Sequence, residues 1–150
     1  MILVDTNVLL RIADPVAADC LPARTANRAL RARGRILVIT PQNLYEFWAV
    51  ATRPAGKPPH GPNGLGMSAN RADQWLGYVL RTFALMPAPP DLHIRWRALV
   101  RTYNVTGIKA HDARLVAAMQ AHNITDLLTF NAQDFKRFSG ISLLNPRAIS

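Results

Sequence analysis

Short apolar runs that hand over directly to helical segments constrain this chain more than any other feature. Ile2-Leu3-Val4 reads as a buried strand ending in Asp5, and from Val8, Leu9, Leu10 and Ile12 the apolar residues recur at helical spacing. Arg35 to Thr40 repeats the device as the continuous apolar strand found in parallel sheets. Pro41 then stands at a first helical position, and a helix from Gln42 to Thr52 carries Leu44, Phe47, Trp48 and Val50 as its apolar stripe. Phe83 to Met86, Asp126 to Phe130 and Ile141 to Leu144 are the further strand candidates. Strands alternating with helices predict an α/β fold with a mainly parallel sheet and helices on both faces. A length of 150 residues suits one domain, 1–150, with a full core.

The remaining helices are marked by their ends. Asp14-Pro15 breaks the first one. Asp19 or Cys20 to Arg33 follows, with Leu21, Ala26, Ala29 and Leu30 available for its apolar side and Gly34 as C-terminal stop. Ser68 is expected to cap a helix that runs to about Arg81 and buries Ala72, Trp75, Leu76, Val79 and Leu80. Asp91 is expected to cap another, with Leu92, Trp96, Leu99, Val100 and Tyr103 inward and Arg95, Arg97 and Arg101 outward. A last long helix is expected from about Asp112 to Asn123. Between them, Pro54 to Met67 holds four Pro and four Gly together with Lys57 and His60. It reads as a mobile surface loop of the length that lids and binding loops have. Trp48, Trp75 and Trp96 fall at helical core positions, which favours packing over stacking on a base.

Charge bears on partners. The chain has 18 basic and 9 acidic residues, a formal charge of +9, and fifteen of the basic residues are Arg. The guanidinium fork grips phosphate bidentately, so the bias favours an anionic polymer. Codon usage or an acidic protein partner would give the same bias. Arg24, Arg28 and Arg31 share one helix face and are candidates for contact with RNA; a solvated basic face is the alternative. Cys20 is the only cysteine, which excludes an internal disulfide and a cysteine-based zinc site. No apolar run approaches a membrane span, and no signal-type segment opens the chain, so a soluble cytoplasmic protein is expected.

Five side chains could carry chemistry. In a parallel sheet Asp5, Asn131 and Asp134 follow the carboxyl ends of two strands, the edge where ligands bind. Asp112 opens a helix, and Glu46, the only glutamate, lies one turn into the helix after the second strand. Taken singly, each Asp could be a helix N-cap and Glu46 could point to water. Together, like charges in one pocket raise each other's pKa unless a cation lies between them. Oxygen ligands suit Mg²⁺ or Mn²⁺, which polarise phosphoryl oxygens and acidify bound water. With arginines to hold a phosphate backbone, this chemistry is hydrolysis of a nucleic acid. His111 could serve as a general base, but the acids make that unnecessary. His60, His93 and His122 show no metal-ligand spacing.

These residues also carry a resemblance. Ile2-Leu3-Val4-Asp5-Thr6-Asn7-Val8-Leu9-Leu10 resembles the first motif of PIN-domain nucleases. Asn43-Leu44-Tyr45-Glu46-Phe47 is similar to the second, and Ala110-His111-Asp112-Ala113-Arg114-Leu115-Val116-Ala117 to the third. Leu127-Leu128-Thr129-Phe130-Asn131-Ala132-Gln133-Asp134-Phe135 resembles the fourth. In order and spacing the likeness covers essentially the whole chain and is nearest to VapC-type toxins. It implies a three-layer α/β/α fold and a Mg²⁺- or Mn²⁺-dependent endoribonuclease acting on RNA. It also implies a homodimer that is neutralised by a VapB-like antitoxin. Asp5 and Asp112 match the principal metal ligands, and Glu46 matches the third acid. Thr6, Asn7 and Thr129 would lie close by as hydrogen-bonding groups. Where many members have a fourth acid this chain has Asn131, which brings no charge; Asp134 could substitute, or could only cap the next turn. That leaves open whether the site takes one ion or two. The same resemblance would fit an RNA-processing nuclease without an antitoxin. An inactive RNA-binding module is the other alternative, against which the retained Glu46 argues. A signalling receiver domain is excluded, because no paired acids end the first strand and no Lys follows the fourth.

Overall fold

The computed structural model describes residues 1–56 and 63–150. Five strands, β1 (Ile2–Val4), β2 (Leu37–Ile39), β3 (Ala84–Leu85), β4 (Asp126–Leu128) and β5 (Ser142–Leu144), form one sheet in the order β3-β2-β1-β4-β5. Every pairing is parallel. The helices are α1 (Thr6–Ala13), α2 (Cys20–Ala32), α3 (Pro41–Thr52), α4 (Ala69–Thr82), α5 (Leu92–Thr102), α6 (Ala110–Ala121) and the short α7 (Ala132–Phe135). The expected α/β architecture is therefore present, with strands shorter than the apolar runs suggested.

Alternation along β1 divides the core. Ile2 and Val4 face one layer with Val8, Leu9, Leu30, Phe47 and Val79, from α1 to α4. Leu3 faces the other with Leu99, Leu115, Val116, Met119 and Phe135, from α5 to α7. The central strands are buried on both faces, which is why β1 and β2 read as unbroken apolar runs. The chain leaves β1 toward β2 on one side and toward β4 on the other. The strand order thus reverses at β1, and the carboxyl end of β1 lies at the crevice that such a reversal creates. Beyond the last β1–β4 pair, Val4 with Leu128, the Asp5 amide still donates to the Leu128 carbonyl at 2.9 Å. Asp5 and Thr129 thereby emerge side by side at the sheet edge.

The helix ends follow their sequence signals in part. Thr40 and Asn43 form a reciprocal cap on α3 with Pro41 in its first turn, Ser68 accepts from the Arg71 amide, and Gly34 takes φ +74° after α2. Asp91 precedes α5 but makes no capping bond; its carboxylate goes to Arg95 Nε at 2.7 Å. Three apolar residues expected inside are exposed: Leu21 at 69%, Leu80 at 48% and Trp48 at 36%. Each lies one residue out of phase with its helix's buried stripe, which runs Ala23, Ala26, Leu30 in α2, Ala72 and Val79 in α4, and Asn43, Phe47, Ala51 in α3. Trp75 and Trp96 are partly buried, as packing residues should be.

Of the expected Pro54–Met67 loop, residues 57–62, Lys57 and His60 among them, lie outside the described residues. Its returning arm is bonded to the end of α3. Gly64, Leu65, Gly66 and Met67 donate to the carbonyls of Pro54, Val50, Arg53 and Ala51. A Cβ at Gly64 would stand 2.1 Å from the Arg53 carbonyl oxygen, so only glycine allows this approach. No helix among the described residues is long and apolar enough to cross a membrane.

Candidate active site

Parallel strands deliver their following residues to one edge, and the site is built there. Asp5 leaves β1 at the N-cap position of α1 but makes no capping bond. Its Oδ2 instead accepts from Asn7 Nδ2 at 2.8 Å and from Thr129 Oγ1 at 2.6 Å. Asn7 also donates to Thr129 Oγ1 at 3.1 Å and accepts from the Phe130 amide at 3.2 Å, which ties the loops after β1 and β4 together. Thr6 and Thr129 are buried, so their hydroxyls have few partners other than these.

Glu46 projects from α3 and is partly buried. Thr6 Oγ1 donates to its Oε2 at 2.7 Å, and Gln42 Nε2, one helical turn earlier, donates to its Oε1 at 2.7 Å. Gln42 also donates to the His111 carbonyl at 2.9 Å, which couples α3 to the start of α6. Asn43 is fully buried; its Nδ2 reaches the Val4 carbonyl and Thr6 Oγ1, both at 3.1 Å. The single glutamate therefore does not point idly to water.

Asp112 lies in the first turn of α6, whose N-cap position is held by Lys109 and not by Asp112. Asp134 lies in α7, with Asn131 exposed at its start. Lys109 Nζ stands 2.7 Å from Asp134 Oδ1 and 3.9 Å from Asp112 Oδ2.

All five expected residues, Asp5, Glu46, Asp112, Asn131 and Asp134, line one cleft of ≈ 430 Å³, with Thr6, Asn7 and His111. Burial, opposed by the Thr129 hydrogen bond and assisted by the charges of Glu46 and Asp112, raises the Asp5 carboxyl to about 6. Asp112 is also raised to about 6, first by burial, with Lys109 opposing and Asp134 and Glu46 adding to the rise. Asp5 thus resists ionisation partly because of Glu46 and Asp112, and Asp112 partly because of Asp134 and Glu46.

Among the described residues, no three His, Cys, Asp or Glu side chains stand ready-grouped around one point. The hydrogen bonds explain this: both Glu46 oxygens and one oxygen each of Asp5 and Asp134 are already engaged by neighbouring side chains. The donor set nonetheless fits a hard divalent cation. It is all oxygen, and of its carboxylates Asp5 and Glu46 have only neutral hydrogen-bond donors beside them.

Arg24, Arg28 and Arg31 are not part of this cleft. Arg24 is exposed but folds back on α1, its Nε and Nη2 donating to the Ile12 carbonyl at 3.2 and 2.9 Å, and Arg31 donates to the Thr82 carbonyl. Arg24 and Arg28 line a separate groove of ≈ 640 Å³ between α2 and α4, with Leu21, Arg71, Trp75 and Tyr78. The cations that do line the acidic cleft are Arg53 and Lys109, neither of which was expected there. Gln42 was missed as well, and Asn43 was read only as the opening residue of the second motif. Gln42 was legible in principle, since it precedes Glu46 by four residues and so shares its helix face. Lys109 and Arg53 reach the cleft through tertiary structure and leave no such signal.

The family model described as PIN domain matches residues 2–141. Among solved structures, a toxin–antitoxin complex from Klebsiella pneumoniae is 24% identical, with 97% of this chain and 98% of that chain covered and a TM-score of 0.62. VapBC2 from Rickettsia felis bound to a DNA fragment from their promoter is 18% identical, covers 97% and 98%, and has a TM-score of 0.67. Mycobacterium tuberculosis VapC20, a Sarcin-Ricin loop cleaving toxin, is 18% identical, covers 85% and 87%, and has a TM-score of 0.61. At these identities the likeness establishes the fold. A comparison with curated protein sequences found no match.

Proposed function

The chain belongs to the PIN domain family, and from that premise we propose that it is a metal-dependent endoribonuclease, the toxin of a VapBC-type pair. It hydrolyses phosphodiester bonds in RNA in the cytoplasm, as a homodimer, and is held in check by a VapB-like antitoxin. One observation carries the reading: Asp5 after β1 and Asp112 in α6, far apart in sequence, share one cleft, stand at about 6 together, and both feel Glu46.

Asp5 and Asp112 would hold the ion, with Glu46 as the third acid. A bound Mg²⁺ or Mn²⁺ supplies charge for a phosphoryl oxygen and lowers the pKa of water. The chain's own part is orientation. Thr129 and Asn7 fix the Asp5 carboxylate, and Thr6 and Gln42 hold Glu46 so that its oxygens can take a proton from water entering the cleft. Arg53 and Lys109 line the same cleft and are placed to meet phosphate.

The groove between α2 and α4 supports an antitoxin partner. It pairs apolar Leu21 and Tyr78 with Arg24, Arg28 and Arg71. Asn27 and Trp75 line it too, with Asn27 Oδ1 and Trp75 Nε1 buried beneath its surface without a hydrogen-bond partner among the described residues. That a solved structure of the same fold is a toxin–antitoxin complex supports an antitoxin partner.

The test is incubation of the purified chain with cellular RNA and Mn²⁺, followed by sequencing of RNA ends, beside Asp112→Asn and a chelated control. Discrete new ends are expected only from the wild type with metal. Equal cleavage by Asp112→Asn, or cleavage indifferent to the chelator, would overturn the assignment. Growth arrest on expression, relieved by a small DNA-binding protein encoded beside it, distinguishes a toxin from a processing nuclease.

A further inference from the structure

The acidic cleft already contains a fixed cation. We propose that Lys109 occupies the role of a second metal ion, holding Asp134 and one oxygen of Asp112 so that the cleft takes a single divalent ion between Asp5, Asp112 and Glu46. This rests on the metal-site reading above. The ammonium bridges acids from two different elements, at 2.7 Å from Asp134 Oδ1 in α7 and 3.9 Å from Asp112 Oδ2 in α6. The shorter contact has the length of a charge-assisted hydrogen bond.

The placement of Lys109 is set by backbone. A 3₁₀ turn over Gly107–Lys109 feeds directly into α6, and Gly107 adopts φ +60°, a conformation that costs a residue with a Cβ. The next residue is pinned in turn, because Trp96 Nε1 donates to the Ala110 carbonyl at 2.9 Å. Residue type points the same way. The chain uses fifteen Arg and only three Lys, yet a Lys stands here. A planar guanidinium seeks a fork of two oxygens of one carboxylate, whereas a compact ammonium can lie between two carboxylates as a metal ion does.

The charges divide accordingly. Asp5 and Glu46 are held by the neutral donors Thr129, Asn7, Thr6 and Gln42, while Asp134 and Asp112 face the Lys109 ammonium. Asp112 is therefore shared between an acidic half and a half that is neutralised from within. Asn131, at the other candidate position after β4, adds no charge that could draw a second divalent ion.

Metal stoichiometry tests this without recourse to activity. The metal-stripped full chain is titrated with Mn²⁺ by calorimetry, with electron paramagnetic resonance to detect coupled ion pairs. Lys109→Gln, Lys109→Met and the double variant Lys109→Gln with Asp134→Asn are titrated beside it. The side chain of Lys109 is 38% exposed, so its loss is compatible with folding. The wild type is expected to bind one ion, both Lys109 single variants two with a coupled signal, and the double variant one again. Two ions in the wild type, one in the single variants, or two in the double variant would overturn the proposal while leaving the metal site standing. No ion in any of them would overturn both.

Discussion

The hydroxyl of Thr129 gives its single proton to Asp5. Thr129 Oγ1 lies 2.6 Å from Asp5 Oδ2 while accepting from Asn7 Nδ2 at 3.1 Å and from the Asn131 amide at 3.0 Å. With donors on its other sides, the hydroxyl hydrogen has the carboxylate as its acceptor. This bond pulls the Asp5 pKa down against burial.

Thr129→Val keeps the shape and removes the donor. Asp5 then rises further above its ordinary value, and the acid limb of the cleavage–pH profile should move to higher pH by about 0.5–1 unit. Stability should fall by about 1–2 kcal/mol, because the Asn7 amide and the Asn131 N–H lose their acceptor. An acid limb at the wild-type position would show that the bond holds geometry without tuning charge.

The two raised carboxyls fix the sign of a stability profile. Asp5 and Asp112 stand at about 6 in the fold against an ordinary value of 3.8. The metal-free fold therefore binds protons that the unfolded chain lacks between about pH 6 and pH 4. Metal-free thermal stability, followed by calorimetry, should receive a contribution from these groups that grows as pH falls through this window. The charge penalty should be present in full above it. Asp5→Asn should remove its share, stabilising the metal-free protein at neutral pH by about 1–3 kcal/mol while abolishing cleavage. Mn²⁺ competes with these protons, so its affinity should drop below pH 6 by up to about a hundredfold per unit, as two protons per ion require.

Glu46 depends on Gln42, a neighbour that is not itself one of the acids of the site. Gln42 Nε2 bonds both Glu46 Oε1 and the His111 carbonyl, and Arg114 Nη1 reaches Gln42 Oε1 at 3.4 Å. Gln42→Ala frees one Glu46 oxygen and loosens α3 from α6. Turnover should fall about 10–100-fold, the range for removing a group that orients a metal-site acid. Mn²⁺ stoichiometry should stay the same. Wild-type turnover in Gln42→Ala would mean that Thr6 alone orients Glu46.

The parts of this design legible in sequence are those written locally. β1 and β2 are buried on both faces, so their apolar runs survive without interruption, and Pro41, Ser68 and Gly34 mark helix ends by chemistry that needs only their neighbours. The acids could be gathered because a parallel sheet sends every following residue to one edge. Helix phase was less legible: Leu21, Trp48 and Leu80 are apolar enough to suggest burial, and only the packed partners decide that the stripe runs one residue away. Least legible were Lys109 and Arg53. The first depends on a 3₁₀ turn and the second on the approach of Gly64 to the end of α3, and neither leaves a periodic trace.

The three arginines of α2 should separate by what their guanidiniums already hold. Arg24 donates twice to the Ile12 carbonyl near the end of α1, and Arg31 donates to the Thr82 carbonyl at the end of α4. These bonds satisfy terminal helix carbonyls that have no partner within their own helix. Arg24→Gln should therefore lower stability by about 1–2 kcal/mol and leave the salt dependence of RNA binding unchanged. Arg28 is exposed beside them, on the rim of the groove between α2 and α4. If RNA crosses this rim, Arg28→Gln should cut the slope of log affinity against log salt by about 0.7–0.9, the loss of one phosphate contact, at unchanged melting temperature. Binding titrations at several salt concentrations with a catalytically silent Asp112→Asn background measure both. An unaltered slope for Arg28→Gln would remove this face from the RNA path.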